Sequence, residues 1–288
     1  MASEPAHVAI EVANVERIAA LGWRGLEEAR LGGWLLRGAG GFTGRANSAL
    51  ALEAPQTDEW LPDLVRWYAE RGLPPMVQVP LPCGEAIDAS LDAAGWRTHD
   101  LVRFLTGDVS AVRTSATQAL SNPSEGPRVV ARLDPEPDDA WLAAYYYRGA
   151  PLPMQGRQVL VRAGEGTQLC FASLRAPAQN GGPDVVLAVA RGALAQGWLG
   201  VTAVTVADQH RRQRHGTRLM AELATWAEQR GASAIYLQVA ADNDPALRLY
   251  MQMGFHHHHD YRYRIGPAPE DRSGQPVSPT ISNGIAPL

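Results

Sequence analysis

Apolar and polar positions fall into short blocks along the chain, and the period changes from block to block. Residues 128–133 alternate and predict a strand. Residues 138–147 follow as a helix, with Asp138 or Asp139 near its cap. Residues 168–174 and 184–191 predict strands, and 197–206 continue the sheet after a turn. Residues 217–229 are amphipathic, with Leu219, Met220, Leu223 and Trp226 on one stripe. Residues 234–239 predict a buried strand, and 245–253 a short helix with proline in its first turn. The strand 256–264 closes the unit.

The pattern recurs within the chain. WYAERGLPPMVQV (67–79) and WAEQRGASAIYLQV (226–239) each end a helix at a glycine, Gly72 or Gly231, and run into an apolar strand ending in Gln-Val. LDAAGWRTHDLVRFLTG (91–107) and YMQMGFHHHHDYRYRIG (250–266) each close a helix with glycine plus an aromatic and continue as a strand. Gly72 to Gly95 and Gly231 to Gly254 both span 23 residues, and Arg103 and Phe104 fall opposite Arg262 and Tyr263. Matched spacing over four elements predicts a duplicated α/β fold. The small, polar stretch 108–127 reads as a linker, so the expected domains are 1–107 and 128–266. Residues 267–288, rich in Pro, Ser, Gly and Asn, read as a disordered tail.

Composition narrows the function classes. Hydrophobic residues make up 45% of the 288 and charged residues 19%, an ordinary soluble balance. The net charge of -4 leaves no basic excess to neutralise phosphates, which argues against a nucleic-acid partner. All 26 basic residues are Arg. Cys83 and Cys170 lie in apolar surroundings and predict half-buried thiols, with neither a disulfide framework nor a zinc site. No signal peptide and no bilayer-spanning apolar run is evident, so the expectation is a cytoplasmic protein without membrane contact.

Two segments carry chemistry. In VTVADQHRRQRHGTRLM (204–220) a β-branched strand runs into an Arg/Gln/Gly turn that opens a helix. Such a turn aims backbone N–H groups at one point with the helix dipole behind them, an anion site for which pyrophosphate is the natural occupant. Arg211, Arg212 and Arg214 add charge; a solvated basic cap is the plainer reading. In NDPALRLYMQMGF (243–255) Asn243 can cap the helix, and Tyr250 follows two turns later on the same side. Tyr250 alone reads equally as a core aromatic.

Together the segments resemble the GCN5-related N-acetyltransferase (GNAT) superfamily over residues 128–266. The family's loop, Arg/Gln-x-x-Gly-x-Gly/Ala, is matched by Arg211, Arg212, Gln213, Arg214, His215 and Gly216. Its motif Asn-x-x-Ala-x-x-Leu-Tyr-x-x-x-Gly-Phe is matched by Asn243 through Phe255. The resemblance implies two tandem GNAT-like units, each a mixed, mostly antiparallel sheet flanked by helices. It implies acetyl-CoA as acetyl donor and direct attack by an amine, from a small molecule or a protein or peptide. By the resemblance, Val204, Thr205 and Val206 pair with the pantetheine arm and the N–H groups of Arg212 through Thr217 hold the pyrophosphate. Asn243 contacts the cofactor, and Tyr250 protonates the departing thiolate. A monomer or homodimer is expected.

Two departures stand out. Arg214 replaces the loop's first glycine and removes the freedom glycine has for positive φ. The position where some members carry a basic Glu is Gln238, which leaves the general base unassigned. These departures motivate the alternative, a catalytically inactive acyl-CoA-binding regulatory or scaffold protein; the retained Tyr250 speaks against it. No metal site is expected at His256, His257, His258 and His259, because only alternate strand side chains share a face. In the first half Gly84 aligns with Asn243 and Leu91 with Tyr250, so that half resembles a degenerate copy without cofactor chemistry. Its Gly-rich stretch 32–48, with Arg37, Arg45 and Asn47, reads as a strand pair joined by a flexible turn or as a wall of the acceptor pocket.

Overall fold

A computed structural model describes residues 4–55, 57, 59–121, 129–146, 150–178 and 182–267, with side chains described from residue 11 on. In chain order the elements are α1 (Glu4–Gly22), β1 (Glu27–Leu31), β2 (Trp34–Gly38), β3 (Ala49–Leu50), α2 (Trp60–Ala69), β4 (Met76–Pro80), α3 (Glu85–Ala93), β5 (Arg97–Asp108), α4 (Val109–Ala119), β6 (Val130–Asp134), α5 (Asp139–Ala144), α6 (Met154–Leu160), β7 (Gln168–Ala176), β8 (Val185–Ala195), β9 (Trp198–Val206), α7 (His215–Glu228), β10 (Ala234–Ala240), α8 (Asp244–Gln252) and β11 (His256–Ile265). Among the described residues, no helix is long and apolar enough to cross a membrane. The stretch expected as a tail lies outside them from residue 268 on.

The elements form two compact units that depart from the expected boundaries at 107 and 128. Unit 1 takes the chain up to Arg103, Pro153–Arg162, and the chain from His258. Unit 2 takes Phe104–Leu152 and Ala163–His257. In unit 1, β1, β2 and β3 are antiparallel, β3 and β4 are parallel, and β11 joins β4 antiparallel with Tyr261 opposite Pro80 and Ile265 opposite Met76. In unit 2, β6 to β9 are antiparallel, β9 and β10 are parallel, and the end of β5 follows β10. Within each unit the strand pairing is mixed and mostly antiparallel, and helices flank it. β11, the strand that closes the second half in sequence, thus joins β4 in unit 1, whereas β5 runs from unit 1 into unit 2 at Arg103/Phe104. Periodicity predicts that a strand exists, not which edge it joins.

The repeat has a physical basis at its glycines. Gly72, Gly95, Gly231 and Gly254 all have positive φ, from 62° to 93°. The residue after each donates its N–H five residues back: Leu73 to Tyr68, Trp96 to Leu91, Ala232 to Ala227 and Phe255 to Tyr250. These are Schellman closures, which need a left-handed residue that only glycine supplies without strain. Each helix then delivers its apolar stripe: Leu64 and Tyr68 from α2, Ile87 and Leu91 from α3, Leu219 and Leu223 from α7, Ala246 and Tyr250 from α8.

The linker reading fails at its start. Residues 109–119 are helix α4, capped by Asp108, whose carboxylate accepts from the Ala111 N–H. Val109, Val112 and Ala116 are fully buried in unit 2, a three-residue stripe of small side chains that composition alone disguised. Residues 122–128 lie outside the described residues. The helix α6 was not foreseen at all.

Unit 1 encloses a polar chain. Arg37 donates to the Ser48 carbonyl at 3.0 Å and to Gln78 Oε1 at 2.8 Å; Gln78 Nε2 donates to Glu16 Oε2 at 3.1 Å; Glu16 Oε1 lies 3.0 Å from His259 Nε2. Glu16, Arg37, Gln78 and His259 are each at most 4% exposed. With Nε2 committed to Glu16, His259 turns Nδ1 toward His258 Nδ1, 2.8 Å away. Consecutive histidines thus meet where strand alternation predicted only alternate ones. The Gly-rich stretch is pinned rather than flexible: Asn47 Oδ1 accepts from the N–H groups of Ala39 and Gly41, and Nδ2 donates to the carbonyls of Phe42 and Thr43.

Replacing Glu16 by Ala strands two buried polar groups at once. At ~1–3 kcal/mol for each unsatisfied group, Glu16→Ala is expected to lower unfolding stability by about 3 kcal/mol in a urea titration. A loss under ~0.5 kcal/mol, the level of an ordinary surface substitution, would refute the network's contribution.

Candidate active site

In unit 2 the parallel pairing of β9 and β10 runs from Trp198–Ala234 to Val201–Leu237 and stops. On its other side β9 stays paired to β8, with Thr205 opposite Val189 and Val206 opposite Ala188. Between Thr202 and Thr205 two residues, Ala203 and Val204, face the single residue Ala190. This bulge bends the strand, and Ala203 takes φ 55° within it. Among the described residues, the backbone edge of Val204 to Val206 toward β10 therefore has no strand partner. Gln238, half-buried, is the first residue of β10 past the paired stretch. Thr205 Oγ1 is buried with no hydrogen-bond partner among the described residues.

Beyond Val206 a 3-10 turn, Asp208–His210, leads into the loop before α7. Arg212 and Arg214 both stand in the left-handed region, each with φ 61°. The positive φ that a glycine would give freely is thus adopted by Arg214 itself, at a cost of about 1–2 kcal/mol. Its guanidinium donates to the carbonyl of Ala119, the last residue of α4. That bond holds Arg214 in place and satisfies a helix C-terminus.

The loop leaves its backbone donors open. Among the described residues, none of the N–H groups of Arg212, Gln213, Arg214, His215, Gly216 or Thr217 has an acceptor. Three belong to the loop and three to the first turn of α7, where no intrahelical acceptor exists. All of these residues except Gln213 line a cleft of about 600 Å³. Val206, Arg211, Arg212, Arg214, His215, Gly216 and Thr217 line it, and Asp208, Pro245 and Leu249 complete the lining. Arg211 is paired with Asp208 at 2.8 Å. The cradle of donors, the helix dipole and three guanidiniums make the cleft fit for a polyanion.

Gln213, Val204, Thr205, Asn243 and Tyr250 are not lining residues of this cleft. Asn243 caps α8, its Oδ1 accepting from the Ala246 N–H at 3.3 Å. Tyr250 is 6% exposed, with its ring edge-on to Phe255 at 5.7 Å. Burial alone raises its phenol above the usual range, and no hydrogen bond or charge offsets this, so it holds its proton through neutral pH. Leu249, next to Tyr250 in sequence on α8, lines the cleft. Sequence reasoning missed Ala203, Asp208, Pro245 and Leu249. The bulge at Ala203 has no glycine to signal it.

A family profile described as the C-terminal part of the probable histone acetyltransferase Rv0428c matches residues 9–264. The chain belongs to this family of GNAT-type N-acetyltransferases. The Mycobacterium tuberculosis protein described as probable histone acetyltransferase Rv0428c is 32% identical over 251 residues, 86% of this chain and 72% of that protein. The Bacillus subtilis protein described as uncharacterized N-acetyltransferase YobR is 24% identical over 258 residues, covering 88% and 98%. Among solved structures, the GCN5-related N-acetyltransferase from Kribbella flavida superposes with TM-score 0.61 at 18% identity, covering 89% of this chain and 96% of that one. The tandem GNAT protein from the clavulanic acid biosynthesis pathway superposes with TM-score 0.59 at 15% identity, covering 88% and 87%. These two likenesses establish the tandem GNAT fold.

Within this GNAT fold the cap at Asn243 has a measurable weight. Asn243→Ala removes the acceptor for the Ala246 N–H and is expected to cost about 1 kcal/mol. Native-state hydrogen exchange would read this as roughly fivefold faster exchange across the first turn of α8. Unchanged exchange there would show that the cap contributes nothing.

Proposed function

We propose that unit 2 is an acetyl-CoA-dependent N-acetyltransferase site. The observation that carries this reading is the run of open N–H groups from Arg212 through Thr217 above a basic cleft, next to a strand edge released by the parting of β9 and β10. Acetyl-CoA, when bound, supplies a thioester whose carbonyl carbon an amine attacks. Arg212 through Thr217 hold the pyrophosphate through backbone donors. The free edge of Val204, Thr205 and Val206 pairs with the amide groups of the pantetheine arm, as an added strand would. Tyr250 delivers its phenol proton to the sulfur as the carbon–sulfur bond breaks, and regains it from water. Gln238 takes no proton, so the amine loses its own to a group or water other than this side chain.

The acceptor is an amine of a small molecule or of a protein. The histone named for the Mycobacterium tuberculosis relative favours a lysine side chain, the one histone amine repeated along the chain. Unit 1 is read as a copy without cofactor chemistry. At Gly84, opposite Asn243 in the repeat, a Cβ would fall 2.5 Å from Val79 Cγ1. Leu91, opposite Tyr250, is wholly buried. In unit 1 the parallel pairing of β3 and β4 covers Ala49–Val77 and Leu50–Gln78, and the Ala51 N–H donates to Gln78 O.

Thiol release from acetyl-CoA over a panel of amines, histone peptides included, tests the reading. Tyr250→Phe is expected to lower kcat by ~10²–10⁴, the usual worth of a general acid, with the KM for acetyl-CoA little changed. With its phenol raised, the wild type should show no loss of kcat from Tyr250 ionisation up to the ordinary phenol range near pH ~10. Acetyl-CoA binding without thiol release from any amine would favour a binding protein instead.

A further inference from the structure

The open cradle at the start of α7 has a second feature that backbone donors do not explain. His215, the first residue of α7, lines the cleft yet is only 8% exposed. Its Nε2 is buried with no hydrogen-bond partner among the described residues. Its nearest aromatic neighbour, His210, is edge-on at 6.2 Å. A buried polar atom without a partner costs about 1–3 kcal/mol and marks a place where a ligand can complete the bonding. We propose that the His215 imidazole is a side-chain ligand of the phosphate seated in this cleft, donating a hydrogen bond to it and taking up a proton as it binds. The inference rests on the acetyl-CoA reading and deepens it.

The charges around the ring set the sign. In the free protein, burial first, then His210 and Arg218, hold the imidazole below the ordinary histidine range, so it is neutral at pH 7. The acids on the surrounding elements are committed elsewhere. Asp208 pairs with Arg211 at 2.8 Å, Glu222 lies 3.9 Å from Arg218, and Asp244 on α8 lies 4.0 Å from Arg248. Arg214 is tied to Ala119 and Arg218 donates to the Val129 carbonyl at 2.9 Å. Among the described residues, the one carboxylate that lines the cleft, Asp208, is thus already paired with a guanidinium.

A phosphate reverses this balance. Its negative charge favours the protonated ring, so the complex binds the proton more tightly than the free protein does. By linkage the cofactor then binds more tightly as pH falls, and the gain is lost as pH rises through the raised value of the bound state. One linked proton changes Kd by at most about tenfold per pH unit.

The test is calorimetric titration of the full chain at pH 7 with CoA and with 3′-dephospho-CoA, in buffers of different ionisation enthalpy. The dephospho compound keeps the pyrophosphate but has no monoester of its own to titrate near neutrality. Net uptake of up to one proton is expected with dephospho-CoA. His215→Gln should abolish the uptake while losing less than about tenfold in affinity at pH 8, the worth of one hydrogen bond. His210→Gln should retain the uptake. Binding without uptake in the wild type, uptake that persists in His215→Gln, or uptake that disappears in His210→Gln would each overturn the proposal. If neither compound binds the wild type, the acetyl-CoA reading itself fails, which is a separate result.

Discussion

Two parallel strands that stop pairing partway along set the terms for unit 2. β9 and β10 hold register only as far as Val201 and Leu237. Continued pairing would leave no backbone edge to offer, and closing that edge elsewhere would bury unpaired donors. The bulge at Ala203 and Val204 supplies the bend, at the expense of a left-handed alanine. The 3-10 turn then carries the chain over to α7, and the loop reaches the helix with its donors still open. The cleft follows from that divergence.

Strain gathers at the same place. Of the six non-glycine residues with positive φ among the described residues, Arg212 and Arg214 line the cleft and Ala203 lies three residues before the lining residue Val206. At roughly 1–2 kcal/mol each, they amount to several kcal/mol that the rest of unit 2 must offset. The offset comes from the core beneath α7, where Leu219, Leu223, Ala224 and Ala227 are at most 1% exposed. It also comes from α4, whose C-terminal carbonyl receives Arg214. Such strain persists where the surroundings over-determine the backbone, which is characteristic of binding loops.

Unit 1 is held together by different contacts. Its interior carries a hydrogen-bonded polar chain from Ser48 through Arg37, Gln78 and Glu16 to His259. Arg264 from β11 is held by Asp88 at 2.8 and 3.0 Å and by Asp92 at 2.8 Å. These contacts tie β11 to α3, an element more than 160 residues earlier in sequence, and such long-range closures raise the contact order.

The strands and helices of unit 2 were legible because each follows a local rule. Alternation marks β7 and β8, the 3.6-residue stripe marks α7, and glycines at fixed spacing mark four helix ends whose left-handed closure glycine favours. The turn from Arg211 to Gly216 and the cap at Asn243 were legible as local structure for the same reason: turns and caps depend on residues close in sequence. What stayed hidden depends on partners far away. Sequence period does not say that β11 pairs with β4, since strand pairing is chosen by which edges meet. It does not say that Val109, Val112 and Ala116 find a core, or that Glu16 reaches His259 from 243 residues away. Nor does it say that His215 is buried with a bare nitrogen beside a cleft. Local geometry is written in neighbouring residues, whereas burial and partnership exist only once distant segments have packed together.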